Sequence, residues 1–214
     1  MHVNCAMSLD GKIALADGQQ MRISSEEDMA RVYRLRNESD AVLVGIGTVL
    51  MDNPKLTINE KYVMNPRQPL RVILDTHLRT PSEAEVMSDA APTLIATGGP
   101  SFKRGGVEAV KCGDGQVELS RVLSLLAERG VEWLLVEGGG TIIYSFLHTH
   151  FVDVMTVYVA PMVIGGMSTP TMAGGPGATA LDEIIGLSFY SVERLGEGVL
   201  LKLHPSVADN LNEE

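Results

Sequence analysis

The sequence predicts an α/β protein with a mostly parallel central sheet, flanked by helices and extended at its C-terminal end by antiparallel strands. Three observations predict it. Short apolar runs alternate with stretches of helical spacing as far as His150, the order expected of strand–helix–strand units. Runs such as AVLVG are apolar throughout rather than at every second residue, as in strands buried on both faces. Beyond His150 the alternation fails, and the last apolar runs follow one another without a convincing helix.

Taken in order, HVNCAM is a first strand, followed by the polar, glycine-punctuated loop SLDGKIALADGQQ. Residues 24–40 form a helix: Ser24 with Glu27 fits a capping box, and Met29, Val32, Tyr33 and Leu35-Arg36 share helical spacing. AVLVG is a buried strand. GTVLMDNP starts as a helix that must stop before Pro54. LRVILD and TLIAT are two more strands, and VEAVKC is a weaker one. VELSRVLSLLAERG is an amphipathic helix with Gly130 as its stop. EWLLVE is a strand and TIIYSFLHTH a helix. VMTVYVAP and the two halves of LSFYSVERLGEGVLLKLH are strands, the last two a hairpin about Gly196-Glu197-Gly198. Residues 1–214 are expected to form one domain, with 206–214 a loose tail.

The chain has 214 residues, 45% of them hydrophobic, enough for a substantial core. Its net charge of −10 disfavours a nucleic-acid partner, which needs a basic surface. No apolar run approaches the roughly 20 residues of a membrane span. The start, MHVNCAMSLDG, does not resemble a signal peptide. Cys5 and Cys112 form no CxxC pair and are expected to be reduced core thiols. A cytoplasmic protein is expected. His148-x-His150 lacks a third ligand at suitable spacing, so no metal is expected; a histidine there complements a helix C-terminus.

The stretch VEGGGT, residues 136–141, joins a strand to a helix through three glycines. Bare amides at a helix N-terminus, with the aligned dipole, form a phosphate site, and glycines let the phosphate reach the backbone. The alternative is a tight turn whose glycines serve close packing. The G-x-G-x-x-G of an ordinary dinucleotide fold is missing after the first strand, since Gly45-Ile46-Gly47-Thr48 lacks the third glycine. A dinucleotide, if bound, would bind late in the chain.

AMSLDGKIA, LRNESDAVLVGIGTVLMDNPKLT, LRVILDTHLRTP, LLVEGGGTIIYSFL and DVMTVYVAPMVIGG occur in that order. This series closely resembles the reductases of riboflavin biosynthesis, both the stand-alone enzymes and the reductase half of the bacterial bifunctional deaminase–reductase. The resemblance runs to about residue 204. It implies a dihydrofolate-reductase-like fold, NADPH as cofactor and a homodimer. It also implies reduction of the ribosyl group of a pyrimidine ribosylamine 5′-phosphate to a ribityl group.

The same resemblance sets NADPH against Thr48, Asp52 and Leu56, with Gly139, Gly140, Thr141 and Ile142 around the pyrophosphate. Thr76 and Thr97-Gly98-Gly99 follow strand ends, where open sheets collect ligands. Lys103 and Arg104 are either partners of a 2′-phosphate or a solvated loop. Ser8, Asp10, Ser24 and Arg36 are implied on the substrate. Arg36 would grip phosphate oxygens with its fork, or else form a helix-surface ion pair with Glu38 or Asp40. Lys12 and Glu137 become the catalytic candidates beside the sugar C1′, Glu137 also touching substrate. Hydride reaches C1′ of the opened ribosylamine and a proton reaches its nitrogen.

Asn53 stands where many relatives carry a second aspartate, and Asn59 where bacterial relatives often carry arginine. These departures point to the 2-amino substrate, 2,5-diamino-6-ribosylamino-4(3H)-pyrimidinone 5′-phosphate, over the deaminated 5-amino-6-ribosylamino-uracil phosphate. The chain has no H-x-E with a later P-C-x-x-C, so no zinc deaminase half. Two alternatives are a pterin reductase of the same fold and a non-catalytic nucleotide-binding protein; a plain Rossmann dehydrogenase is disfavoured by the missing early fingerprint.

Overall fold

The computed structural model describes residues 1–17 and 21–206; most of the expected tail, from residue 207 onward, lies outside them, as do residues 18–20 of the polar loop. The strands in chain order are β1 (His2–Ser8), β2 (Ala41–Gly45), β3 (Leu70–Leu74), β4 (Thr93–Thr97), β5 (Phe102–Arg104), β6 (Val107–Lys111), β7 (Leu134–Val136), β8 (Val154–Ala160), β9 (Leu187–Leu195) and β10 (Gly198–Pro205). The helices are α1 (Glu26–Glu38), α2 (Ile46–Asp52), α3 (Leu119–Glu128) and α4 (Gly140–His148). The predicted mixture of parallel strands, helices and C-terminal antiparallel strands is therefore the observed one. The chain divides into two compact units, residues 1–29 with 139–214, and residues 30–138.

In the unit of residues 30–138 the strands lie in the order β5-β6-β4-β3-β2-β7. All are parallel except β5, which pairs antiparallel with β6. The reason is in the side chains: every residue of β2, β4 and β7 is buried, as strands covered on both faces require. Val42, Val44, Ile73, Ile95 and Leu135 share one core with Ile46 and Val49 of α2. That helix ends at Asn53, whose left-handed backbone (φ 41°, ψ 53°) returns its amide to Val49, one residue before Pro54. Helix α3 buries Val122 and Leu126, one turn apart.

The other unit has the order β1-β8-β10-β9. β1 runs parallel to β8 over seven residues, from His2 beside Val154 to Ser8 beside Ala160. β10 is antiparallel to both β8 and β9. The predicted hairpin is present, with Gly198 opposite Leu195. α4 buries Ile143, Phe146 and Leu147.

Two expectations change. The cap of α1 sits one residue later than Ser24: the Asp28 amide donates to Ser25 Oγ at 3.2 Å, while Ser24 Oγ donates to the Asp28 carboxylate at 2.5 Å. Ser-Ser offers two competing hydroxyls, and the one that faces the N3 amide caps. Lys103 and Arg104 belong to β5, a three-residue edge strand that residue pattern does not reveal; all three of its residues are exposed. Cys5 and Cys112 are free and buried, as expected.

Arg71 is fully buried. Its guanidinium donates to the carbonyls of Glu85, Ser88 and Ala91, which fastens the β3–β4 connection to the sheet. Removing it takes the guanidinium donor from the buried bond to the Ala91 carbonyl. Arg71→Met should cost about 3 kcal/mol in urea unfolding, against under about 1 kcal/mol for Arg67→Ala, whose pair with Asp40 is exposed.

Candidate functional site

The SLDGK loop leaves β1 through a tight turn. The Gly11 amide donates to the Ser8 carbonyl at 2.9 Å, and the Lys12 amide to Ser8 Oγ at 2.9 Å. Ser8 is fully buried, and its hydroxyl donates to Asp10 Oδ1 at 2.6 Å. Asp10 also accepts from the amides of Ile164 (3.0 Å) and Gly165 (2.7 Å). The Ser8 hydroxyl foremost, with those amides, lowers the Asp10 carboxyl from 3.8 to about 2. Asp10 is thus a clamp between two loops. A second join follows it: Lys12 bridges to Thr171, and the Met172 amide donates to the Gly11 carbonyl at 3.1 Å. Among the described residues Lys12 Nζ makes one long bond, 3.4 Å, to the Thr169 carbonyl, and its other donors can serve a ligand. In the same unit, Ser24 lines a cavity of about 470 Å³ with Arg22, Tyr158, Met162 and Glu197.

At VEGGGT the glycines have separate reasons. A Cβ on Gly138 would lie 2.5 Å from Val44 Cα, and one on Gly140 would lie 2.2 Å from the Thr171 carbonyl oxygen. Gly139 adopts φ +47°, in the region that side chains disfavour. Two of the three therefore serve packing within the chain, as the tight-turn alternative held. At the helix start the Ile142 and Ile143 amides donate to the Gly139 carbonyl, at 3.0 and 3.1 Å, which leaves the Gly140 and Thr141 amides as the donors an anion could meet among the described residues, and Thr141 is exposed. Donors of this kind on a nine-residue helix fit a dinucleotide pyrophosphate.

Arg36 pairs with neither Glu38 nor Asp40. Its Nε and Nη2 donate to the two oxygens of Glu137, at 2.9 and 2.6 Å, and Nη1 donates to the Thr57 carbonyl at 3.2 Å. Asp40 instead accepts from Arg67 and from the amides of Glu132 and Trp133. The Arg36 and Glu137 side chains are only 16% and 9% exposed. Burial works to lower the guanidinium's pKa, but the charge and hydrogen bonds of Glu137 outweigh it and hold it above the ordinary value. The Nε–Nη2 edge of the guanidinium is thus engaged by Glu137, which presents an oriented carboxylate at the end of β7.

The remaining candidates in this unit lie at strand and helix ends. Thr48 is half-buried on α2, and burial pushes the Asp52 carboxyl up. Leu56 buries its side chain in the core with φ +51°, so its backbone is what a ligand could meet. The Thr76 carbonyl accepts from the Gly98 amide and from Thr97 Oγ1, each at 3.1 Å. Gly98 is glycine because a Cβ would come within 2.9 Å of the Gln116 amide nitrogen. Ile142 donates its amide to the Gly139 carbonyl at 3.0 Å, in the unit of residues 1–29 with 139–214. The Tyr33 ring, one turn before Arg36 on α1, has its centroid 5.3 Å from the Arg36 Cζ, a contact the sequence analysis did not single out. Its signal was the i,i+3 spacing to Arg36.

Two outcomes follow. Gly140→Ala must displace the Thr171 backbone, so it should cost about 2 kcal/mol by thermal unfolding. Because the Asp10 carboxyl is held below its ordinary value, its contribution to stability is complete above 3.8 and disappears as pH falls through about 2. Asp10→Asn should flatten the stability curve in that window, measured by urea unfolding at successive pH values; an unaltered curve would show no contribution from the clamp.

The family model of the RibD C-terminal domain matches residues 1–201. The chain is 42% identical over 209 residues to the 2,5-diamino-6-ribosylamino-4(3H)-pyrimidinone 5′-phosphate reductase of Archaeoglobus fulgidus, covering 92% of this chain and 93% of the relative. It is 39% identical over 206 residues to the protein of the same name from Methanothermobacter thermautotrophicus, covering 94% and 95%. Among solved structures, the bifunctional diaminohydroxyphosphoribosylaminopyrimidine deaminase/5-amino-6-(5-phosphoribosylamino)uracil reductase of Thermotoga maritima aligns with a TM-score of 0.82 and 28% identity, over 96% of this chain and 56% of that one. On the whole-length match and the shared fold, the chain belongs to the RibD C-terminal domain family.

Proposed function

We propose that this chain reduces the ribosyl group of 2,5-diamino-6-ribosylamino-4(3H)-pyrimidinone 5′-phosphate to the ribityl form, a step of riboflavin biosynthesis. The observation that carries this reading is the 42% identity spanning 93% of a stand-alone relative bearing that substrate's name. The family's reductases imply a nicotinamide cofactor, and the proposed one is NADPH, which when bound would supply the hydride. Gly139, Gly140, Thr141 and Ile142 would hold its pyrophosphate, with Thr48, Asp52, Leu56, Thr76, Thr97 and Gly98 as further contacts. Ser8, Asp10, Ser24 and Arg36 are the proposed substrate residues, and the structure gives Asp10 and Arg36 positioning duties within the chain.

Lys12 and Glu137 are the proposed catalytic residues. An ammonium can deliver a proton to the ribosylamine nitrogen. A carboxylate held by Arg36 can stabilise positive charge developing at C1′. Residues 1–214 are proposed to act as one reductase domain, since the family model runs across both units. The proposed assembly is a cytoplasmic homodimer. Its support is the edge strand β9, where Leu187, Phe189, Tyr190 and Val192 are exposed and pairing is found on one side only among the described residues. No helix among those residues is long and apolar enough to cross a membrane.

The test is NADPH oxidation with the 2-amino and the deaminated ribosylamino phosphates side by side. The 2-amino compound should turn over faster, and Lys12→Ala and Glu137→Gln should each lower kcat about a hundredfold. Preference for the deaminated compound would reassign the substrate, oxidation with a pterin alone would reassign the reaction, and near-normal turnover in both variants would remove the pair from the mechanism.

A further inference from the structure

We propose that Tyr33 is a positioning residue for this reaction: its ring fixes the plane of the Arg36 guanidinium, and through that plane the orientation of the Glu137 carboxylate. The proposal rests on the reading of Glu137 as catalytic. Arg36 is held from two directions. Along its edge it donates twice to Glu137 and once to the Thr57 carbonyl. Its Cζ lies over the Tyr33 ring, 5.3 Å from the ring centroid, inside the range of cation–π attraction. Hydrogen bonds along the edge leave rotation and tilt of a long side chain only partly restrained. A ring packed beside the guanidinium restricts that freedom, and the energy of such a contact grows as water is excluded.

The Tyr33 ring is itself backed. Tyr62, from the loop after α2, stacks on it at 4.8 Å between centroids and 10° between planes. The Lys61 ammonium lies 4.8 Å from the Tyr62 centroid. The Tyr62 amide donates to the Asn59 carbonyl at 3.0 Å, and the Lys61 amide to Asn59 Oδ1 at 2.9 Å, so a closed turn presents the ring. Cation, ring, ring, cation and carboxylate thus form one pile from an exposed loop to Glu137. Both ends of the pile carry charge, so its geometry is electrostatic as well as apolar. A packing role alone would need rings of the right volume but no guanidinium beside them.

The experiment compares Tyr33→Phe, Tyr33→Leu and Tyr33→Leu in an Arg36→Ala background. Two measurements are made: NADPH oxidation with the 2-amino substrate, and NMR exchange of the Arg36 Nε proton in the free protein. Tyr33→Leu should lower kcat about tenfold with KM for NADPH changed less than about twofold, whereas Tyr33→Phe should stay within about twofold on both. In the Arg36→Ala background, Tyr33→Leu should add nothing, since the effect travels through Arg36. The Nε proton should exchange slowly in wild type and Tyr33→Phe and quickly in Tyr33→Leu. Slow exchange retained in a folded Tyr33→Leu variant, or equal losses in the Phe and Leu variants, would overturn the proposal. If wild type turns over none of the substrates, the assigned reaction falls, while the exchange measurement still decides whether Tyr33 holds Arg36.

Discussion

The passage of the backbone past Val44 is the constraint on which the rest depends. β7 is only three residues long, and its ladder with β2 runs on through the Glu137 amide, which donates to the Leu43 carbonyl at 3.0 Å. Gly138 must then slide within contact of Val44 Cα, where no side chain fits. This close approach sets the position of Glu137 at the sheet's C-terminal edge, within reach of α1. Two hydrogen bonds and a nearly buried ion pair with Arg36 follow from that placement. A buried carboxylate without such a partner would be neutralised or expelled.

The same logic governs the chain's other buried or anchored charges. Arg71 survives inside the unit of residues 30–138 because backbone carbonyls of one connection converge on it. Asp10 is anchored because a hydroxyl and two amides aim at its carboxylate. Each of these groups fixes an irregular segment that the sheet alone would leave loose. Loops that carry binding groups need such fixing, since a ligand meets a rigid loop at lower entropic cost. Charge here is a means of holding loops in place.

Much of the fold was legible from local pattern. Apolar runs such as AVLVG located the strands, Gly130 and Pro54 located helix ends, and Gly196-Glu197-Gly198 located the hairpin. Local chemistry also misled in two places. Neighbouring serines offered two caps for α1, and the exposed FKR segment carries no apolar signature, since β5 is defined by its partner β6. The three glycines announced a close approach without saying to what: the chain's own backbone takes two of them.

By itself the sequence determined the order of the helices and of every strand but β5, because those depend on periodicity and on short contiguous patterns, while the candidate residues came from the resemblance of its motifs to a family. Only the tertiary structure decided which charges meet. Arg36 lies 101 residues from Glu137, and its sequence neighbours Glu38 and Asp40 looked equally able to pair with it. Which carboxylate wins is settled by the path of β7 beside β2, a long-range geometry that residue spacing does not encode. The stacking of Tyr62 on Tyr33 was invisible for the same reason, since it joins a loop to a helix through packing rather than through any repeat.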